Sequence, residues 1–189
     1  MGKKALVFLA AGFEEVEAVT PIDYLRRAGI AVTIAAVGQD RLVKGVHGIV
    51  FTADTTIGEL EKSGGLSAAA WDAVFVPGGM PGASNLAACA PAGNFYKAMA
   101  AAGKVSAAIC ASPAVFLAPL GILEGKWFTC YPGMEKQVSS GTWTSGRVVV
   151  DGNLITSRGP GTAADFALAL IEKLLGPAEA EKLVKDALL

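Results

Sequence analysis

Histidine is almost missing from this chain. Of 189 residues only His47 carries an imidazole, so a histidine-built zinc site and a Cys-His dyad are both poor expectations. Cysteine is scarce as well. Cys89, Cys110 and Cys130 are an odd number without a CxxC spacing, which excludes a disulfide framework and fits free thiols in a reducing compartment. The apolar run after Lys4 stops at about seven residues, too short for a membrane span or a signal-peptide core. A cytoplasmic location is the default that follows. Charge of one sign is also lacking: 16 basic residues face 17 acidic ones, for a net charge of −1, and the basic residues form no stripe. Nucleic acid and membrane surfaces are therefore not expected partners.

What the chain has in plenty is apolar mass. Hydrophobic residues make up 52% and charged residues 17%, enough for one well-buried domain spanning residues 1–189. Lys4 to Ala10 reads as a strand buried on both faces. Val16, Val19, Ile22 and Leu25 then recur at helical spacing, with acids at the start, Arg26 and Arg27 at the end and Gly29 as the stop. Pro21 is expected to kink or split that helix. Ile30 to Val37 is the next strand, Arg41–Lys44 and Ile49–Thr52 flank a turn, and Thr56–Lys62 is a short helix. Asp72 opens a strand that ends in Pro77-Gly78-Gly79. Met80 to Ala102 supplies one or two helices broken near Pro91, and Lys126 to Tyr131 is a further strand. Asp151-Gly152-Asn153 marks a tight hairpin between Arg147–Val150 and Leu154–Ser157, and two helices end the chain. Strands alternating with helices predict an α/β fold, a mainly parallel sheet with helices on both faces and added hairpins.

Chemistry concentrates at Val105 to Phe116. An apolar strand ends at Cys110, and small residues lead through Pro113 into an expected helix, a strand-to-helix turn of the kind that raises a nucleophile above a sheet edge. A helix N-terminus there lowers a thiol's pKa. Ligands in open α/β sheets bind at the carboxyl ends of strands, where the strand order reverses. The loops at those ends carry Glu14, Glu15 and Glu17, the glycines Gly78 and Gly79, and Cys110 with Ala111. Backbone N–H groups of Gly79 and Ala111 can form an oxyanion hole for a carbonyl attacked by Cys110.

The blocks Ala-Leu-Val-Phe-Leu-Ala-Ala-Gly-Phe-Glu-Glu-Val-Glu-Ala, Val-Pro-Gly-Gly, Ala-Ala-Ile-Cys-Ala and Thr-Ser-Arg-Gly-Pro-Gly-Thr-Ala occur in this order. Together they resemble the DJ-1/ThiJ branch of the DJ-1/PfpI superfamily. The resemblance implies a flavodoxin-like three-layer sandwich and a homodimer, with Cys110 as the reactive cysteine and Glu17 as its partner acid. It also implies Gly78 and Gly79 facing the cysteine, Ala111 beside it, and no cofactor or metal. A protonated Glu17 donating to the sulfur predicts a raised carboxyl pKa and a lowered thiol pKa in a coupled pair.

Two departures are visible. Tyr131 stands where several relatives have a histidine, and Ala111 replaces the histidine of the protease branch. The second argues against a protease or a glutamine amidotransferase. His47 falls where relatives place an arginine, leaving an anion contact, a structural role or an exposed loop position. Arg27 is an accessory candidate that adds positive potential or braces structure; Arg158 is expected to brace the backbone. Two functions share these residues: a glyoxalase or deglycase acting on small dicarbonyls such as methylglyoxal, and a non-enzymatic redox-sensing, chaperone-like stress protein.

Overall fold

The computed structural model describes residues 2–189. The chain runs β1 (Lys4–Ala10), α1 (Glu15–Arg27), β2 (Ala31–Val37), β3 (Leu42–Lys44), β4 (Val50–Thr52), β5 (Thr55–Thr56) and α2 (Ile57–Ser63). Next come β6 (Ala73–Val76), α3 (Gly82–Ala87), α4 (Ala90–Ala101) and β7 (Val105–Ile109). The remainder is β8 (Trp127–Phe128), β9 (Thr142–Trp143), β10 (Val148–Asp151), β11 (Leu154–Ser157), α5 (Ala163–Leu175) and α6 (Pro177–Asp186). A seven-stranded sheet in the order β10-β11-β7-β6-β1-β2-β5 organises them. It is parallel throughout except for β10 against β11.

Alternation along β1 divides the core into two faces. Ala5, Val7 and Leu9 join Ile22 and Leu25 of α1 and Phe166, Leu170 and Ile171 of α5. Leu6, Phe8 and Ala10 join Leu86 of α3 and Phe95, Tyr96 and Met99 of α4. That two-residue period puts helices on both sides and makes the three-layer α/β sandwich. The chain leaves β1 for β2 on one side and returns through β6 and β7 on the other, so the strand order reverses between β1 and β6. The loops following β1, β6 and β7 therefore meet at one crevice.

Three local expectations change. Helix α1 continues through Pro21 from Glu15 to Arg27; the proline removes only the N–H that would have bonded the Glu17 carbonyl. The helix expected after Cys110 is a single π turn, Pro113–Leu117, followed by turns as far as Gly125. Pro119 cannot donate a helical hydrogen bond and disfavours helical backbone before it, and Gly121 takes φ 76°, so no long helix forms. The strand expected over Lys126–Tyr131 is confined to Trp127–Phe128, which pairs in parallel with β9 outside the main sheet. Beyond it the backbone bonds elsewhere: Thr129 N–H donates to Thr156 Oγ1 and Tyr131 N–H to the Cys110 carbonyl.

Candidate active site

Cys110 begins where β7 stops. Its N–H donates to the Ser157 carbonyl of β11 at 2.9 Å, and its own carbonyl accepts from Tyr131 N–H at 2.8 Å. Held by these bonds, the residue adopts φ 65°, a left-handed backbone rarely used by a residue with a side chain. The turn presents the thiol to the crevice while leaving it 8% exposed. Ser112, which nothing in the sequence singles out, ties this loop to the next by donating from Oγ to the Pro77 carbonyl at 2.6 Å.

Glu17 arrives from the first turn of α1. Glu14 caps that helix, its Oε2 accepting Glu17 N–H at 2.7 Å, which fixes the start of the helix and so the place of the next carboxyl. Glu17 is fully buried: Oε2 accepts Gly78 N–H at 2.8 Å, and Oε1 has no protein partner. Burial raises its pKa to about 7, against the lowering effect of hydrogen bonds from Gly78 and Cys110. Glycine is required beside it. A Cβ at Gly78 would lie 2.6 Å from Cys110 Cβ and 2.9 Å from both Ala111 N and Glu17 Oε2.

The glycine pair divides its work differently from the sequence expectation. Gly78 N–H serves Glu17, whereas the N–H groups of Gly79 and Ala111 face the Cys110 sulfur. The expected lowering of the thiol pKa is also corrected. Burial pushes the Cys110 thiol up, and the charge and hydrogen bond of Glu17 add to that; Gly79 and Ala111 pull it back. The one-turn segment after Cys110 supplies no long-helix dipole to offset burial. Protonating Glu17 removes the repulsion and turns its O–H into a donor, so the two groups contend for one proton.

The accessory residues separate. Tyr131 is 50% exposed and lines, with Pro132, Arg147, Arg158 and Gly159, a depression of about 270 Å³. A Cβ at Gly159 would lie 3.7 Å from Tyr131 Cδ2 and 3.9 Å from Glu17 Oε1, so this depression adjoins the Cys110–Glu17 couple. Arg158 donates to the Ser145 carbonyl at 3.3 Å, a backbone brace. Arg27 does not belong to the site. It lies ten residues along α1 from Glu17, roughly 15 Å away by helical rise, and pairs with Asp23 at 2.6 Å on the surface.

His47 faces Glu15, with its N–H 2.7 Å from Oε1 and Nδ1 2.9 Å from Oε2. Burial acts to raise the Glu15 pKa, but these donors outweigh it and hold the carboxyl below its ordinary value. Although a metal is not expected from the sequence, Glu14, Glu15 and His47 bring donor atoms within 4.8 Å of one another. In this arrangement the two Glu15 oxygens are engaged by His47. Among the described residues no helix is long and apolar enough to cross a membrane.

Comparison with known proteins meets this geometry. The chain is 42% identical to protein DJ-1 homolog B of Arabidopsis thaliana over 94% of its length and 40% of the relative's. It spans about half the length of the two Arabidopsis relatives it matches. It is 33% identical to a Caenorhabditis elegans protein named glutathione-independent glyoxalase DJR-1.2, covering 97% of this chain and 95% of that one. The solved structure of oxidized Toxoplasma gondii DJ-1 superposes with a TM-score of 0.93 at 39% identity, over 99% of this chain and 98% of the other. Residues 3–173 match the DJ-1/PfpI family, and this chain belongs to it.

Proposed function

We propose that the protein is a cofactor-free glyoxalase that converts small dicarbonyls to hydroxy acids through Cys110 and Glu17. The observation that carries this reading is a fully buried carboxyl with a pKa near 7 set beside a thiol on a strained turn. A general acid–base works best when its pKa lies near the working pH. Glu17 takes the thiol proton as the sulfur adds to the aldehyde carbon, then passes it to the carbonyl oxygen to give a hemithioacetal. The N–H groups of Gly79 and Ala111 share the negative charge that develops there. Glu17 next removes the proton from the former aldehyde carbon and returns it to the neighbouring ketone carbon. The first carbon becomes a thioester and the second an alcohol, so oxidation at one balances reduction at the other. Water hydrolyses the thioester, releases the hydroxy acid and restores the thiol. The name of the nematode relative supports this chemistry.

The test is lactate formation from methylglyoxal without glutathione. Wild-type protein should turn over, Cys110→Ala should not, and Glu17→Gln should lose roughly 10²- to 10⁴-fold in kcat. Absence of lactate from the wild type overturns the proposal.

A second reading rests on the donors around the sulfur, Gly79, Ala111 and a protonatable Glu17, which also suit a reversibly oxidised cysteine in a redox-sensing, chaperone-like stress protein. Mass spectrometry after peroxide treatment separates the two. Glu17→Gln should abolish turnover while leaving much of the Cys110 oxidation. In either reading the protein works in the cytoplasm as a homodimer. Val16 and Val19 of α1 and Leu42, Val46, Ile49 and Val50 of the β3–β4 hairpin supply an exposed apolar surface for a second copy.

A further inference from the structure

Ser106 is the second residue of β7, and its side chain is out of place. The residue is 3% exposed, yet Oγ makes no hydrogen bond with any protein group. Buried hydroxyls are nearly always paired, so an orphan one points to something that completes it. Ser106 lines a cavity of about 280 Å³ with Ala100, Lys104, Ile122, Lys126 and Asn153. A water occupies about 30 Å³, so the space holds several waters or one small polyatomic ion.

The polar lining is rich in donors. Lys104 has no carboxylate within ion-pair distance among the described residues. Lys126 Nζ stands 3.3 Å from Asp151 Oδ1, and the other Asp151 oxygen accepts Trp127 N–H at 2.8 Å, so that carboxylate is already engaged. The Asn153 amide gives one hydrogen to the Gly103 carbonyl and keeps a second. Two ammonium groups, a hydroxyl and an amide N–H converge where no free carboxylate lines the wall. Such a set is completed by an acceptor-rich anion.

We propose that this cavity is a phosphate-binding site, taking the free ion or the phosphoryl end of a small phosphomonoester. It lies at the amino ends of β7 and β11, whereas Cys110 lies at their carboxyl ends, about 13 Å along the strand from Ser106. The site is therefore separate from the dicarbonyl chemistry and does not depend on it.

The test titrates inorganic phosphate, and glycerol phosphate in parallel, while following the thermal midpoint and the backbone amide signals of residues 103–106 and 153. Sodium chloride at equal ionic strength serves as the control. Saturable shifts with either ligand support the site, the ester arm distinguishing a phosphoryl group from the free ion. Ser106→Ala deletes an unpartnered hydroxyl, so its midpoint without ligand should equal or exceed that of the wild type, and it should bind phosphate about tenfold more weakly. Lys104→Gln should weaken binding without loss of fold. Shifts that chloride reproduces, or that persist unchanged in both variants, overturn the proposal.

Discussion

Two atoms at one residue pair decide how the site tolerates change. A methyl group at Gly78 would press on the Cys110 Cβ, the Ala111 nitrogen and the Glu17 carboxyl at once, and two of those contacts are with parts of the chain that cannot swing aside. Gly78→Ala should lower stability by about 1–3 kcal/mol and abolish turnover, as read by urea denaturation and lactate assay. Glu17 makes a prediction of a different kind. Its folded-state pKa of about 7 lies above the ordinary 4.5, so between those values the folded chain holds a proton that the unfolded chain has released. The stability this contributes is complete below about pH 4.5 and is lost as pH rises through 7, roughly 3 kcal/mol in all. Denaturation at about pH 5 and about pH 8 should show that loss in the wild type, and Glu17→Gln should flatten it. The acid limb of kcat/KM should likewise fall near 7 in the wild type, where Glu17 loses the proton that blocks it as a base.

At the scale of elements, β7 carries the thiol and is held from beneath. Tyr96 of α4, fully buried, donates its hydroxyl to the Ala107 carbonyl at 2.9 Å, and burial pushes that phenol well above its ordinary pKa. Tyr96→Phe should cost about 1 kcal/mol in denaturation without changing the pH profile of turnover. The elements that were legible in the sequence are those whose cause is local. β1 shows as an unbroken apolar run, and Asp151-Gly152-Asn153 spells its own hairpin. The short helix after Thr56 begins with a reciprocal cap, Thr56 with Glu59, that residue order makes plain. Where sequence reading failed, the decisive partner was distant. The segment after Phe128 leaves the strand because Thr156 and Cys110 take its backbone N–H groups. Gly78 and Gly79 look alike in sequence, and only the approach of α1 gives one of them to Glu17. Cys110 and Glu17 were legible because turn chemistry and family pattern converge on them. Arg27 was misjudged because its charge can be read from the sequence while its distance from the site cannot.

For the whole molecule, the two faces of the sheet are covered unequally in kind. Helices close the core, but the β3–β4 hairpin stands beside the start of α1 with Ile49 and Val50 more than half exposed. Gly12 N–H donates to the Lys44 carbonyl and Val46 N–H to that of Phe13, so the hairpin is fastened to the loop that positions Glu17. A second copy seated there would brace the site of the first. Ile49→Glu should convert a dimer to monomers in sedimentation analysis and lower turnover along with it, because the fastened loop loses its support.

The left-handed backbone at Cys110 has a consequence for how this protein can be improved. A side chain in that conformation costs of order 1–3 kcal/mol relative to glycine, which adopts it freely. Cys110→Gly should therefore melt at a higher temperature than the wild type while making no lactate. Directed evolution for heat resistance alone would find that substitution among the rewarding ones, and a library screened without an activity gate would discard its own nucleophile.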